Sequence, residues 1–346
     1  MRYRMLAAAV LASAAAHAAP TNDLSNAETP DPETLLITAT RSVRSTETVP
    51  VHSTVIAGEN ISEGHYTSVP ETLSREAGIH FRNYTDNPSQ ANIDMRGFGE
   101  NSHGRVLILL NGRKLNSADL ATVNWSQVPQ RSIDRIEVLR GPGTAMYGDN
   151  ANGGVVNIIT KAGTDESVYG ADVTIGSYKF NDQNIYSSGR IKGLGYAASL
   201  NHQSADGYRD RSSYDTWAGS LNFDGALTEK MNGRLALSGV AREYELPGDL
   251  TALQKAADRK QSVDDSDVKD RTINADLGFT LNPSDDHAFH LDGGVLFMQQ
   301  EANLNREFGP FATFIDADKI SGTVSPKYTT ILPLWKLDNE FTLGSD

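Results

Sequence analysis

The chain has 346 residues, 22% of them charged, a formal net charge of −13 and no cysteine. The acidic balance argues against general nucleic-acid binding, and the absent cysteines exclude a disulfide-stapled scaffold. An acidic soluble globule and a membrane-embedded chain fit these values equally well, so the elements have to decide.

The chain opens MRYRMLAAAVLASAAAHAAP. Arg2 and Arg4 precede a short apolar run from Leu6 to Ala15, and Ala16-His17-Ala18 supplies a small-residue cleavage motif. That order predicts a leader over 1–18, cut after Ala18, and hence export from a bacterial cytoplasm. The run is too short to span a bilayer, and no other stretch approaches the length that a transmembrane helix needs. Loss of the two leader arginines makes the chain two units more negative.

Residues 19–40 read as a flexible lead, polar over 19–32. The lead closes on ETLLITA, which is Glu33, Thr34, Leu35, Leu36, Ile37, Thr38 and Ala39. This β-prone stretch is either a first strand or an accessible strand that adds to the sheet edge of a partner.

Residues 41–163 predict a small α/β domain. Pro70–Gly78 reads as a helix with a glycine stop. Arg105–Leu110 reads as a buried strand, and Asn111-Gly112 after it is a strong hairpin signal. Ile133–Leu139 and Val155–Thr160 are two more strands. The glycine-rich link between them invites a phosphate reading, which fails on detail. Gly143 and Gly148 have P-loop spacing, but Asp149 stands where the lysine should be and would repel phosphate. Gly141, Gly143 and Met146 break the dinucleotide fingerprint, and a strand follows rather than a helix. The glycines therefore serve tight turns and close backbone approach. No nucleophile elbow, metalloprotease motif or metal cluster is present, so neither catalysis, a cofactor nor a bound metal is expected.

After Thr164 the pattern becomes strict alternation, one apolar face and one polar face per strand. Tyr169, Val173, Leu221, Phe223, Ile273, Leu277, Phe279 and Leu291 are expected to face lipid. Asp172, Asn222, Asn274, Asp276 and Asp292 are expected to face a lumen. On this reading an arginine costs much at Leu277 and far less at Asp276. Short links fall near 192–194, 227–232, 282–286 and 331–334. Longer ones fall near 204–213, 244–270 and 300–317, with the first link, near 177–182, on their side. Long and short links sorted by end predict a transmembrane antiparallel β-barrel; a soluble β-sandwich also alternates but has no reason to sort them. The count over 164–346 is about nine strands, an odd number, so the sequence reads as ending mid-barrel near an outer link.

Four stretches carry a resemblance: ETLLITA at 33–39, IDMRGFG at 93–99, RVLILLNGRKLN at 105–116 and IDRIEVLRGPGTAMYGDNANGGVVNIITK at 133–161. In these the chain resembles the TonB-dependent outer-membrane receptors of Gram-negative bacteria. The resemblance implies a monomeric barrel of about 22 strands filled by a plug, the plug being the α/β domain. It implies that Glu33–Ala39 is the TonB box, taken up by the periplasmic protein TonB. It makes Arg96 and Arg140 plug arginines that contact carboxylates of the barrel wall. Tyr84, Asn101, His103 and Trp125 become candidates for ligand contact at the plug apex. The implied activity is uptake of a scarce ligand across the outer membrane, with a ferric siderophore placed first and cobalamin as the alternative. Leu115–Gln130 leans towards the cobalamin branch. The acidic run Asp264-Asp265-Ser266-Asp267 has oxygen ligands suited to calcium, but its spacing is no EF-hand and a solvated loop explains it more simply. A secreted β-rich binding module or adhesin stands as the reading from another class.

Overall fold

The computed structural model describes residues 35–36, 44–45, 52–83, 87, 90–102, 104–116, 122–284, 286–305, 312–334 and 337–345. The leader, most of the lead, Tyr84 and His103 lie outside the described residues.

In chain order the first half holds β1 (Leu35–Leu36), β2 (Arg44–Ser45), β3 (His52–Ala57), α1 (Gly58–Glu63), α2 (Val69–Ala77), β4 (His80–Arg82) and β5 (Asn92–Asp94). It continues with β6 (Val106–Leu110), β7 (Arg113–Lys114), β8 (Ile133–Arg140), α3 (Thr144–Tyr147) and β9 (Gly154–Thr160). Five of these strands form one mixed sheet in the order β3-β8-β9-β6-β7, with β6 and β9 parallel. All five residues of β6 are buried, as a strand covered on both faces requires. Ile56, Leu73, Ile108, Ile136, Val138, Val156 and Ile158 are each at most 2% exposed and form the core on the helix side.

Local signals set the punctuation. Ser68 caps α2 by accepting from the Glu71 amide, and Gly78 ends the helix at φ 63°. Asn111 and Gly112 both take positive φ, 51° and 87°, and join β6 to β7 as a tight hairpin; these are the signs that such a turn demands. Gly154 sits at φ 156°, and a side chain there would meet the Leu139 carbonyl at 2.5 Å. The glycine-rich link is thus a close-packing device.

The second half is a nine-stranded antiparallel sheet in simple sequence order. Its strands are β10 (Val168–Ile175), β11 (Asn181–Ile191), β12 (Leu194–Ala205), β13 (Tyr214–Thr228), β14 (Met231–Leu246), β15 (Ser266–Ser284), β16 (His287–Leu304), β17 (Thr313–Leu334) and β18 (Leu337–Gly344). Ile191 pairs with Leu194, Thr228 with Met231 and Ser284 with His287, so three of the short links close within two residues; the fourth falls later than the sequence suggests, because 331–334 is the end of β17 and Leu334 pairs with Leu337. Two of the long ones are shorter than the sequence suggests. Glu245 still pairs with Asp267 and Leu304 with Thr313, so the links narrow to 247–265 and 305–312. The ladder runs on there with its polarity reversed, Tyr244, Val268 and Ala302 packed together on the inner face and Glu243, Lys269 and Glu301 exposed on the outer one, which breaks the outward-apolar pattern of the rest of the wall.

The two faces of this sheet invert the usual order. Tyr169, Val173, Ile273, Leu277, Phe279 and Leu291 are exposed on the outer face, Tyr169 at 83%. Asn222 and Asn274 are buried on the inner face, against the small domain. At about 3.3 Å per residue, the outward apolar run Ile273–Leu281 is roughly 26 Å of strand, of the order of a barrel's apolar band. Beyond it the outward positions turn charged, at Arg271 and Lys269. No helix among the described residues is long and apolar enough to cross a membrane; the crossing elements are strands.

Candidate functional site

The inner face of the sheet meets the small domain through polar contacts in tiers. The outermost tier centres on a buried ion pair, Arg242 with Asp270, whose side chains are 6% and 1% exposed. Arg242 Nε donates to Asp270 Oδ2 at 2.6 Å, and Gln300 donates to Asp270 Oδ1 at 2.8 Å. With its oxygen turned to the guanidinium, the Gln90 carboxamide accepts from Arg242 Nη1 at 2.5 Å and Nη2 at 2.7 Å. The segment around Gln90 is thereby held to β14. On β12, Gln203 donates to the Thr67 carbonyl at 3.1 Å.

A neutral tier follows, in which Asn274 donates to Ser238 and Gln127. The innermost tier is charged again. Arg113 Nε lies 2.8 Å from Asp276 Oδ1, an ion pair 10% and 15% exposed, and Arg131 Nε lies 2.9 Å from Asp172 Oδ2. Two glycines make room. Gly294 pairs with Asp276 across β15–β16, and a side chain there would come within 2.2 Å of Asp276 Oδ1. Gly278 pairs with Asp292 and leaves its carboxylate free to reach Arg234, at 3.0 Å. Beside this tier lies a cavity of about 720 Å³ bounded by Arg113, Tyr147, Lys161, Asp276 and Lys327. Burial, then the nearby Arg131 cation, push Lys161 below the ordinary lysine range. Its carbonyl accepts from Asn222, and Gly163 donates to Asp224 at 2.7 Å.

The sequence-derived residues fall unevenly on this frame. Leu35 and Leu36 are extended, and they pair with Ser45 and Arg44 instead of standing unpaired; Glu33, Thr34, Ile37, Thr38 and Ala39 lie outside the described residues. Arg140 donates to the Thr54 hydroxyl and the Ala77 carbonyl, both inside the small domain. Arg96 is exposed at φ 70°, in a turn whose Phe98 and Gly99 amides cap Asp94. Asn101 lies in a 3-10 turn, Gly99–Ser102. Trp125 corrects the expectation of an apical ligand group: it is 3% exposed, packs in the core, and donates from Nε1 to the Ala91 carbonyl at 2.6 Å. Asp264 accepts from the Ser266 amide at 2.9 Å. Among the described residues no group of three or more His, Cys, Asp or Glu could hold a metal ion.

Sequence reasoning placed Asp172 and Asp276 on the inner face but missed their partners, Arg131 and Arg113, which look like ordinary surface cations in a loop and a hairpin. Arg242 and Asp270 were missed because both fall at the edge of a stretch that reads as loop.

Comparisons with known proteins agree with this geometry. A family model described as the TonB-dependent Receptor Plug Domain matches residues 45–155. The vitamin B12 transporter BtuB of Vibrio vulnificus (strain CMCP6) is 34% identical over 145 residues, 42% of this chain and 23% of that protein. BtuB of Vibrio cholerae serotype O1 (strain M66-2) is 29% identical over 180 residues, 52% of this chain and 29% of that protein. The matched stretches thus take up less than a third of those relatives' lengths. Among solved structures, the unliganded ferric citrate transporter FecA superposes with a TM-score of 0.74 at 22% identity, covering 85% of this chain and 46% of that one. The ferric yersiniabactin receptor FyuA of Yersinia pestis gives 0.73 at 18%, covering 87% and 49%. These proteins are transporters and receptors, not enzymes. Residues 45–155 are a TonB-dependent receptor plug domain, and the chain that holds them has the plug-and-barrel fold of the outer-membrane receptors of Gram-negative bacteria.

Proposed function

We propose that this chain serves TonB-driven uptake of a scarce metal chelate across the outer membrane, with 19–40 as the lead, 41–163 as the plug and 164–346 as barrel wall. The observation that carries the reading is the plug–wall seam. The plug meets the wall through ion pairs and hydrogen bonds, Arg242–Gln90, Arg113–Asp276 and Arg131–Asp172, and not through a shared apolar core. Polar contacts can be exchanged for water when the plug is pulled, which a fused hydrophobic core does not allow. In this reading Glu33–Ala39 pairs with an edge strand of TonB, and the inner-membrane proton gradient supplies the pull. Tyr84, Asn101 and His103 contact ligand from the plug side. Arg140 braces the plug internally.

The ligand is a corrinoid or a ferric siderophore. The sequence relatives named above, both vitamin B12 transporters, favour the corrinoid; the ferric citrate and yersiniabactin proteins share the fold alone. A secreted soluble module is disfavoured by the outward apolar band, a large exposed patch with no place on a soluble protein. The experiment is uptake of radiolabelled cyanocobalamin and of a panel of ferric siderophores, by cells carrying this receptor from its own gene, with and without TonB. TonB-dependent accumulation of one of them is expected. Ile37→Pro should abolish it while leaving surface binding intact, because proline removes a backbone donor from the strand. Uptake that ignores TonB would overturn the reading.

A further inference from the structure

Three of the links at the end of the wall opposite the short turns, 176–180, 206–213 and 247–265, are fastened to one another. Arg209, in the second link, reaches across to the third. Its Nε donates to the Gln261 carbonyl at 3.3 Å, Nη1 to the Gly248 carbonyl at 2.5 Å, and Nη2 to the carbonyls of Pro247 at 3.1 Å and Gln261 at 2.9 Å. Pro247 and Gly248 begin the 247–265 link and Gln261 lies near its end. One guanidinium therefore closes the neck of a loop that belongs to another hairpin.

The neck is tight without it as well. Val263 donates to the Pro247 carbonyl at 3.0 Å. A side chain on Gly248, at φ 69°, would stand 2.8 Å from Asp264 Cβ. Other contacts tie the same links. The Asp210 amide donates to the Lys260 carbonyl at 2.7 Å. The Lys260 ammonium lies 5.9 Å and 5.8 Å from the rings of Tyr178 and Tyr208, which meet edge to face at 5.6 Å. Lys179 pairs with Asp206 at 2.7 Å. The result is one tier made of three hairpin tips, from which a short helix, α4 (Ala252–Ala257), projects with Leu253 84% exposed.

We propose that Arg209 is a positioning residue that pre-forms this side of the receptor's outer mouth, holding the 247–265 link in one place before any ligand arrives. For its consequence at the ligand this rests on the uptake reading; for the clasp itself it does not. A planar guanidinium presents five donors in a fixed fork, so it can satisfy carbonyls from both ends of a loop at once; a lysine ammonium is a point charge and cannot span them. A loop already ordered adds no ordering cost to ligand capture.

The test reads loop mobility without ligand. In outer membranes carrying the receptor, trypsin should cut after Lys255 and Arg259 at least tenfold faster in Arg209→Ala than in the unaltered protein. Arg209→Lys should recover less than half of the protection, because charge alone does not rebuild the fork. The chain has no cysteine, so a spin label on Leu253→Cys reports the arm directly and should become mobile on adding Arg209→Ala. Heat-modifiable migration, unchanged in both variants, shows that the barrel still folds. Equal cleavage and equal label mobility with and without Arg209 would overturn the proposal. With cyanocobalamin as probe, Arg209→Ala should slow association severalfold and leave dissociation unchanged. If cyanocobalamin does not bind the unaltered receptor, the corrinoid reading fails, while the protease and label results still decide the clasp.

Discussion

The plug and the wall solve opposite problems with the same residue alphabet. In the plug, apolar side chains point inward, and β6 is covered on both faces. Along the middle of the wall they point outward, Ile273, Leu277 and Phe279 being exposed while Thr272 and Asn274 are 1% exposed, and towards its outer end Tyr214, Tyr244, Val268 and Ala302 turn inward. Alternation records only that a strand has two different faces; the surroundings decide which face is buried. The difference teaches where stability is stored. The plug carries its own hydrophobic core. The wall's inner face depends on polar partners, many of which the plug supplies.

The largest expected effect breaks that dependence at its most buried point. Asp270→Ala takes the Asp270 carboxylate away from Arg242, which is 6% exposed. Removing one member of a buried pair typically costs about 3–5 kcal/mol. Denaturant unfolding in detergent micelles should show a loss of that order. A change below about 1 kcal/mol would mean that this tier is wetter than its burial implies. Asp270→Ala together with Arg242→Met should recover much of the loss, because no uncompensated charge then stays inside.

Next comes the outer face. Leu277→Arg places a charge in the apolar band and should cost about 2–4 kcal/mol in folding into lipid. The sequence alone suggests Asp276→Arg as its tolerated counterpart. The structure replaces that comparison, since Asp276 neutralises Arg113 and an arginine there would face a second cation. Asp276→Asn is the informative change. It should leave insertion intact and raise protease access to the plug. Equal insertion defects in Leu277→Arg and Asp276→Asn would argue against a lipid-facing wall.

Much of the fold was legible because it follows from local rules. The Asn111-Gly112 turn, the Ser68 cap and the Gly78 stop of α2, and the parity of the wall strands all rest on chemistry within a few residues. The glycines of 141–154 were assigned to close packing for the same reason. What escaped depends on distance in sequence. Arg113 and Asp276 are far apart in the chain, and nothing local in RKLN pairs it with an aspartate of a distant strand. Trp125 misled for a related reason: a tryptophan in a polar loop looks available, yet this loop folds back onto Ala91. The outer parts of β15 and β16 read as loop because charged and amide residues such as Lys269, Asp270, Gln300 and Glu301 dominate there, while the apolar residues Val268 and Ala302 turn inward and meet Tyr214 and Tyr244 from distant strands.

A smaller effect sharpens the contrast between faces with one methyl group. On the inner face, Gly294→Ala drives Cβ to within 2.2 Å of Asp276 Oδ1 and 3.2 Å of Arg113 Cδ. Overpacking of this kind costs about 1–3 kcal/mol. On the outer face, Gly322→Ala meets nothing nearer than 3.9 Å and should stay within about 0.5 kcal/mol. Paired unfolding curves check both. Similar losses would show that the two strands resist any added side chain, and the clearance argument for Gly294 would go.

The smallest change addresses Trp125, the residue for which sequence and structure disagree most. Trp125→Phe keeps a six-membered ring in the core but removes Nε1, which donates to the Ala91 carbonyl, together with the rest of the five-membered ring, leaving a small gap. A net loss of about 1 kcal/mol is expected for one such hydrogen bond, somewhat more because Ala91 is itself 1% exposed and its carbonyl loses a partner away from bulk water. Ala91 follows Gln90, which Arg242 holds from the wall, so the substitution loosens the segment that joins the plug to β14. Ligand affinity measured on intact cells should therefore stay within about twofold while plug stability falls. The converse, unchanged stability with affinity lost, would return Trp125 to the ligand-contacting set that its sequence context suggests.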